Sequence, residues 1–162
     1  MPQQDRYTFI RLIILSVIAL FLQTYFTPFI QIVVWRPDLI LLLILYIGYS
    51  YGVLQGTLAG FILGIFQDSL SPVPVGISSL ANCIVGFLAG QTRQLKLALN
   101  TKILLSILLI LVHGGLFFLL YQFKTEATYF YLLVTRVFPN TVYTFVVGLC
   151  ISLFLRPRYE SV

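Results

Sequence analysis

The few residues that could carry chemistry lie inside or beside apolar segments. Asp68 follows a run of small and apolar residues, Arg136 lies within a later apolar run, and His113 lies at the middle of another. An ionisable residue at membrane depth is costly and usually pairs with another polar group. We predict that Asp68 forms a structural ion pair with Arg136 or with Arg36. The alternative is a solvated loop carboxylate.

His113 is the only histidine in the chain. A catalytic or metal site needs partner ligands, and no cysteine or carboxylate lies at a useful spacing from it. We therefore predict that a neutral His113 faces the protein interior and hydrogen-bonds across helices, with Asn82 as the candidate partner. Cys83 and Cys150 lie in apolar runs and are interpreted as small packing residues.

The chain lacks the residue patterns that most enzymes require. It contains no Ser-His-acid set, no HExxH motif, no phosphate-binding glycine loop and no paired carboxylates within an apolar segment. The sequence therefore predicts a protein that is not an enzyme and has no cofactor or metal site.

The elements that must position these residues are membrane helices. Of the 162 residues, 59% are hydrophobic and only 9% are charged, against roughly 25% charged in soluble domains. The basic residues behind the net charge of +5 lie at segment ends rather than in one patch. This distribution favours lipid headgroups over nucleic acid as the partner. We predict one all-α integral membrane domain over residues 1–162.

Six segments are candidates for membrane-spanning helices. A spanning helix needs about 20 apolar residues, and the three middle segments are shorter than this. The alternative of joining the second and third segments gives a stretch too long for one crossing. The predicted spans are residues 8–26, 39–51, 53–67, 76–90, 103–123 and 131–155.

Charge placement predicts the orientation of these six spans. With the N-terminus in the cytoplasm, the outer loops hold only Arg36 and Lys124 as basic residues, accompanied by acidic Asp38, Asp68 and Glu126. The inner side then holds Arg6, Arg11, Arg93, Lys96, Lys102, Arg156 and Arg158. This asymmetry is the positive-inside pattern, so both termini are predicted to be cytoplasmic.

Glycines at a spacing of four predict how the middle helices pack. In lipid, helices associate where small residues let their backbones approach closely. Segment four repeats the spacing with Ser78, Asn82 and two further glycines, so segments three and four are predicted to cross at close range as a tight helical hairpin. The predicted helix-packing residues are Gly52, Gly56, Gly60, Gly64, Gly86 and Gly90, in a series that Gly48 precedes.

Pro139 lies inside the last segment, and it removes one backbone hydrogen bond there. The freed carbonyl needs a partner within the membrane, and Asn140 or Thr135 is predicted to supply it. Trp35, beside Arg36, is interpreted as an interfacial anchor.

One stretch of the sequence resembles a known family. The resemblance is carried by Trp35-Arg36-Pro37-Asp38-Leu39, Tyr49, Gly52, Gly56, Gly60-Phe61, Gly64, Asp68, Pro74 and Gly76, with Pro139 in a matching position of the last span. These residues are similar to the pattern of MreD, the rod shape-determining membrane subunit of bacteria. The second half of the chain matches mainly in hydropathy.

The resemblance implies a non-catalytic scaffold of the cell-elongation complex in the bacterial cytoplasmic (inner) membrane. It implies MreC as the first partner, with MreB, RodA and a class B transpeptidase in the larger complex. It also implies a bundle like the substrate-binding components of energy-coupling-factor transporters. The glycine groove and the outer polar cluster, which contains Arg36, Asp38, Asp68 and Arg136, would then receive partner helices.

Two other functions compete with the scaffold. A substrate-binding component of a vitamin-type transporter would need a pocket open to the outside, whereas the outer loops are short and poor in hydrogen-bonding groups. A lipid-processing enzyme would need the catalytic residues that are missing. Membrane lipids are the expected contacts, and no small-molecule substrate or nucleic acid is expected.

Overall fold

A computed structural model describes residues 3–72, 74–95, 99–124 and 128–154. These residues form six helices and no β-sheet, so the predicted all-α class is confirmed. Helix α1 comprises Gln3–Phe21, a π-helical turn at Leu22–Phe26 and a last turn at Thr27–Ile30. Helices α2 to α5 are Leu39–Tyr51, Val53–Ser69, Ile77–Gln91 and Leu99–Tyr121. Helix α6 comprises Tyr129–Leu132, a π-helical turn at Leu133–Val137 and Phe138–Phe154.

Three helical stretches of the described chain are long and apolar enough to cross a membrane. They are Tyr7–Ile30, Asn100–Tyr121 and Tyr129–Ser152, with mean hydropathies of 2.0, 2.7 and 1.4. Helix α2 is apolar but shorter. The structure is therefore a helical bundle with membrane-spanning helices, while six crossings with cytoplasmic termini remain a prediction.

The helices begin and end near the predicted positions, with three differences, of which the first is that α1 begins at Gln3 rather than at residue 8. Helix α1 continues beyond residue 26 to Ile30, because its backbone passes through a π-helical turn just before Pro28. Helix α5 begins at Leu99 rather than at residue 103. Lys96, Arg156, Arg158 and the end of the last predicted span lie outside the described residues.

Helix α2 lies at the centre of the bundle. Its sequence is apolar on every side before Tyr49, which is typical of a helix surrounded by others. Leu41 and Leu45 pack with residues of α4 and α5, such as Val85 and Leu109. The opposite side of α2 packs on α3 and α1.

Gly52 has a role beyond the predicted packing. It lies between α2 and α3 with φ +100°, a conformation that glycine adopts at little cost. Its N–H donates to Gly48 O, and the Arg93 guanidinium donates to Tyr51 O at 2.7 Å. Gly52 therefore divides one long apolar stretch into two helices, and its backbone also lies against Gly90, where an added Cβ would be 2.7 Å from Gly52 C.

Candidate functional site

Helices α3 and α4 touch backbone to backbone. A Cβ atom added at Gly56, Gly60 or Gly64 would lie closer than 3.0 Å to backbone atoms of α4. The reverse holds for Gly86 and Gly90, where a Cβ would meet backbone atoms at the start of the α3 segment. The glycine positions other than Gly52 therefore lie inside one tight hairpin.

This hairpin is the contact that was predicted between segments three and four, and it fills the glycine groove. The groove was also expected to receive a helix from a partner protein, but α4 of the same chain occupies it. Gly60 lies against the backbone of Asn82 and Cys83, and Gly64 lies against that of Ser78 and Ser79. Since atoms of this chain occupy the space, the groove is an intramolecular contact.

Asp68 closes the end of the hairpin at which α3 turns into α4. Its carboxylate is 1% exposed and accepts three backbone N–H groups, from Gly76 at 2.7 Å, Ser78 at 3.1 Å and Ser79 at 3.3 Å. These donors lie at the start of α4, where the first N–H groups of a helix lack internal partners. The negative charge also complements the positive end of the helix dipole. Asp68 thus caps α4 from the end of α3.

The predicted ion pairs of Asp68 are not formed. Arg136 donates through its guanidinium to Val34 O at 3.4 Å, and the Nε of Arg36 donates to Gln31 Oε1 at 2.7 Å. The N–H groups at the start of α4 are the partners of Asp68 instead, and they reach both of its carboxylate oxygens.

The predicted hydrogen bond between Asn82 and His113 is also absent. The Asn82 side chain donates to Gln67 Oε1 at 3.0 Å, and Gln67 donates to Asp38 Oδ2 at 3.3 Å. Asp38 in turn accepts from Leu41 N and caps α2. His113 does face the interior, since it is 7% exposed, but its Nε2 has no partner among the described residues.

The segment from Trp35 to Asp38 is fastened to α6. The Trp35 indole N–H donates to Thr135 O at 2.9 Å. This carbonyl lies four residues before Pro139, which has no N–H to donate to it. Trp35 therefore supplies the partner that was predicted to come from Asn140 or Thr135.

Two further hydrogen bonds hold the same segment. Arg36 N donates to Asn140 Oδ1 at 3.2 Å, and Asp38 N donates to Thr144 Oγ1 at 3.1 Å. Asn140 and Thr144 lie one helical turn apart on α6, so they present acceptors to a single extended segment. The backbone of residues 35–38 is thus held along one face of α6.

A cavity of about 760 Å³ lies between this segment, α1, α2, α5 and α6. It is at the Trp35 end of the bundle, which we define by the 31–38 segment and the turn at Ser71 and Pro72. Aromatic side chains of α5 form part of its wall. Besides residues with hydroxyl groups, the polar side chains that line it are Gln23, Gln31, Arg36, Asp38, Gln67, His113, Arg136 and Asn140.

Comparison with known proteins identifies the family. A family model described as rod shape-determining protein MreD matches residues 3–160, which is essentially the whole chain. The chain belongs to the MreD family. It is therefore a rod shape-determining membrane protein of bacteria, and the family is not known as an enzyme. No curated protein and no solved structure matches the chain.

In this MreD-family protein, the predicted polar residues divide between two places. Asp68 and Asn82 belong to the α3–α4 hairpin, whereas Arg36, Asp38, His113 and Arg136 line the cavity. Within the described part of the chain, no group of three histidine, cysteine or acidic residues could hold a metal ion. What the cavity offers is hydrogen-bonding and charged groups rather than a set of metal ligands.

Two glutamines of this MreD-family protein form hydrogen bonds at the site but were not among the predicted site residues. Gln23 donates to Pro37 O at 3.3 Å and accepts from Leu39 N at 2.8 Å, so it links α1 to the start of α2. Gln67 joins Asn82 to Asp38. The signal was present, because each is a polar residue at the end of an apolar run, where a side chain usually needs an internal partner.

Proposed function

We propose that this MreD-family protein is a non-catalytic scaffold of the cell-elongation complex, which guides lateral peptidoglycan synthesis. The observation that supports this most directly is the α3–α4 hairpin. A stripe of glycines in contact with backbone leaves no space for a ligand and gives a rigid body. Rigidity of this kind suits a protein that holds others in place.

The scaffold would act in the bacterial cytoplasmic membrane, with six crossings and both termini in the cytoplasm. Its first partner would be MreC, and MreB, RodA and a class B transpeptidase would join the larger complex. Family membership supports a place in the rod-shape system. Lipids would surround the apolar outer faces, such as that of α1, where Phe9, Val17 and Phe21 are each at least 60% exposed.

The test combines cell shape with the site of wall synthesis. Deletion of the gene is expected to give rounded cells in which a fluorescent D-amino acid no longer labels the side wall. The full-length protein should restore both, and it should retain MreC during purification in a mild maltoside detergent. If the purified protein is monodisperse and yet retains no MreC, the scaffold proposal is wrong.

A second candidate is a substrate-binding component of a vitamin-type transporter. The cavity favours it, because the polar groups that the short outer loops lack are supplied by the helices. The two candidates differ in phenotype. A transporter component would leave a deletion strain rod-shaped and dependent on a supplied nutrient, whereas a scaffold would leave it rounded in every medium.

A further inference from the structure

The cavity at the Trp35 end has the size and the unsatisfied groups of a ligand site. Its volume of about 760 Å³ lies within the range of about 300–1,000 Å³ that is typical of small-molecule pockets. Buried polar atoms in folded proteins almost always have partners. His113 Nε2 has none among the described residues, although the side chain is 7% exposed and lines the cavity.

The charges around the cavity favour an anion. Arg36 and Arg136 both line it, and their observed hydrogen bonds go to neutral oxygens, those of Gln31 and Val34. Asp38 is the carboxylate among the lining residues, and its oxygens accept from Leu41 N at 2.9 Å and from the Gln67 amide at 3.3 Å. Two guanidinium groups thus face the cavity with one carboxylate that is already engaged.

The packing of α5 on α6 places His113 and Arg136 at a similar height along the two helices. A Cβ added at Gly114 would lie 3.0 Å from Val137 Cγ1, so these two positions are in direct contact. His113 and Arg136 are the sequence neighbours of this pair. Both also line the cavity, so they border the same space near this contact.

Next to these polar groups lies an aromatic wall. Phe117 stacks on Tyr121 with ring centroids 5.9 Å apart, and it meets Phe118 edge to face at 5.2 Å. All three line the cavity. An apolar portion of a ligand would be covered by these rings, whereas a small inorganic ion would leave most of the volume unused.

From these observations we infer that the cavity binds the phosphate group of an amphipathic molecule, with Arg36, Arg136 and His113 as its ligands and the α5 aromatic residues around its apolar part. Guanidinium groups match phosphate in geometry and charge. The phosphate could belong to a membrane lipid or to a soluble organic phosphate. The inference is independent of the scaffold role, since a scaffold and a transporter component could each bind such a molecule.

Native mass spectrometry and thermal unfolding of the full-length protein in a maltoside detergent test the inference. Phosphatidylglycerol, phosphatidylcholine, inorganic phosphate and laurate are added separately. If the phosphate belongs to a lipid, a phospholipid should bind and raise the melting temperature, and inorganic phosphate should have little effect. If inorganic phosphate raises it equally, the apolar part contributes nothing and the amphipathic assignment is overturned. No binding of any phosphate compound, or a preference for laurate, would overturn the inference.

A matched pair of variants locates the site. The double variant Arg36→Gln/Arg136→Gln is expected to lower the affinity for the bound phosphate compound by at least about tenfold, a loss of about 1.4 kcal/mol. The control is Arg93→Gln, because Arg93 also donates to a backbone carbonyl but lies at the other end of the bundle. Equal affinities in the double variant and the control would overturn the inference.

The variant His113→Leu tests whether His113 binds the ligand or only stabilises the fold. Since Nε2 has no partner in the ligand-free protein, leucine should leave the melting temperature without ligand unchanged or raise it. The same substitution should weaken phosphate binding several-fold. A lower melting temperature without ligand, together with unchanged binding, would show that His113 is structural and would overturn its assignment.

Discussion

The α3–α4 hairpin and the cavity at the Trp35 end differ in how closely their elements pack. In the hairpin, which we call the closed region, glycines let two backbones touch, and the carboxylate of Asp68 has a donor for each oxygen. Around the cavity, which we call the open region, about 760 Å³ is left between the helices. Each region keeps one buried polar atom without a partner among the described residues, Asn82 Oδ1 in the hairpin and His113 Nε2 at the cavity, but only His113 lies beside space that a ligand could fill.

The backbone itself differs between the two regions. Helices α3 and α4 are regular, whereas α1 and α6 each contain a π-helical turn that ends just before a Thr-Pro or Phe-Pro pair. π-Helical turns often occur at functional sites, because an extra residue redirects the side chains that follow. Both turns lie beside the cavity, where they supply Gln23 and Arg136.

The largest loss of stability is expected from a substitution inside the α3–α4 hairpin. Gly60→Leu places a branched side chain where even a Cβ would meet the backbone of Asn82, so we expect a loss of about 3 kcal/mol in unfolding free energy. Unfolding in detergent and cell shape are the measurements, and cells carrying this variant should be rounded. The control is Gly115→Ala, whose Cβ would lie at an ordinary 3.5 Å from Tyr129 Oη. Normal stability and full complementation by Gly60→Leu would refute the close contact.

A smaller loss of stability is expected at the end of the hairpin, where Asp68 caps α4. Asp68→Ala removes the acceptor of three N–H groups at the start of α4, and we expect a loss of about 2 kcal/mol in stability. Asp68→Asn should fall between this variant and the wild type, because its amide oxygen can still accept. Ser69→Ala is the control, since Ser69 is exposed and only donates back to its own helix. Equal stabilities of the Ala variants at 68 and 69 would contradict the cap.

Sequence patterns predicted the closed region better than the open one. A spacing of four places Gly56, Gly60 and Gly64 on one helical face, so local periodicity is sufficient to predict a small-residue stripe. The stripe did not show that Gly52 also ends a helix, at a position that needs a residue with positive φ. Periodicity alone does not distinguish a glycine that only packs from one that also ends a helix.

The partners of individual polar groups were not predicted correctly in either region. Asp68 was expected to pair with Arg136, but a nearer set of donors, eight to eleven residues away, satisfies it. Trp35 finds its partner 100 residues away, on a carbonyl that a proline leaves free. The tertiary packing determines which polar groups come into contact. The sequence therefore predicted that buried polar groups have partners, but it did not predict the identity of those partners.

Trp35 and Pro139 offer a sharper test of the open region. Trp35→Phe removes the indole N–H that serves Thr135 O, and a loss of about 1 kcal/mol in stability is expected. In a Pro139→Ala background the alanine N–H can serve the same carbonyl, so Trp35→Phe should be less costly there. A double-mutant cycle from thermal or denaturant unfolding measures this coupling. Additive effects of the two substitutions would show that Trp35 does not compensate for the proline.

The smallest expected loss of stability is at the contact between α2 and α5, outside the cavity lining. Tyr49 Oη and Ser106 Oγ lie 3.1 Å apart, and the Ser106 hydroxyl also donates to Lys102 O at 2.9 Å. Because Ser106 keeps this second bond, Tyr49→Phe should lower the unfolding free energy by only about 0.5 kcal/mol. Tyr7→Phe, at a position 68% exposed on α1, is the control and should be neutral. A loss of unfolding free energy as large as that of Asp68→Ala would contradict this prediction. The α2–α5 contact would then depend on the Tyr49 hydroxyl as strongly as the hairpin depends on its cap, and the two regions would differ less than we describe.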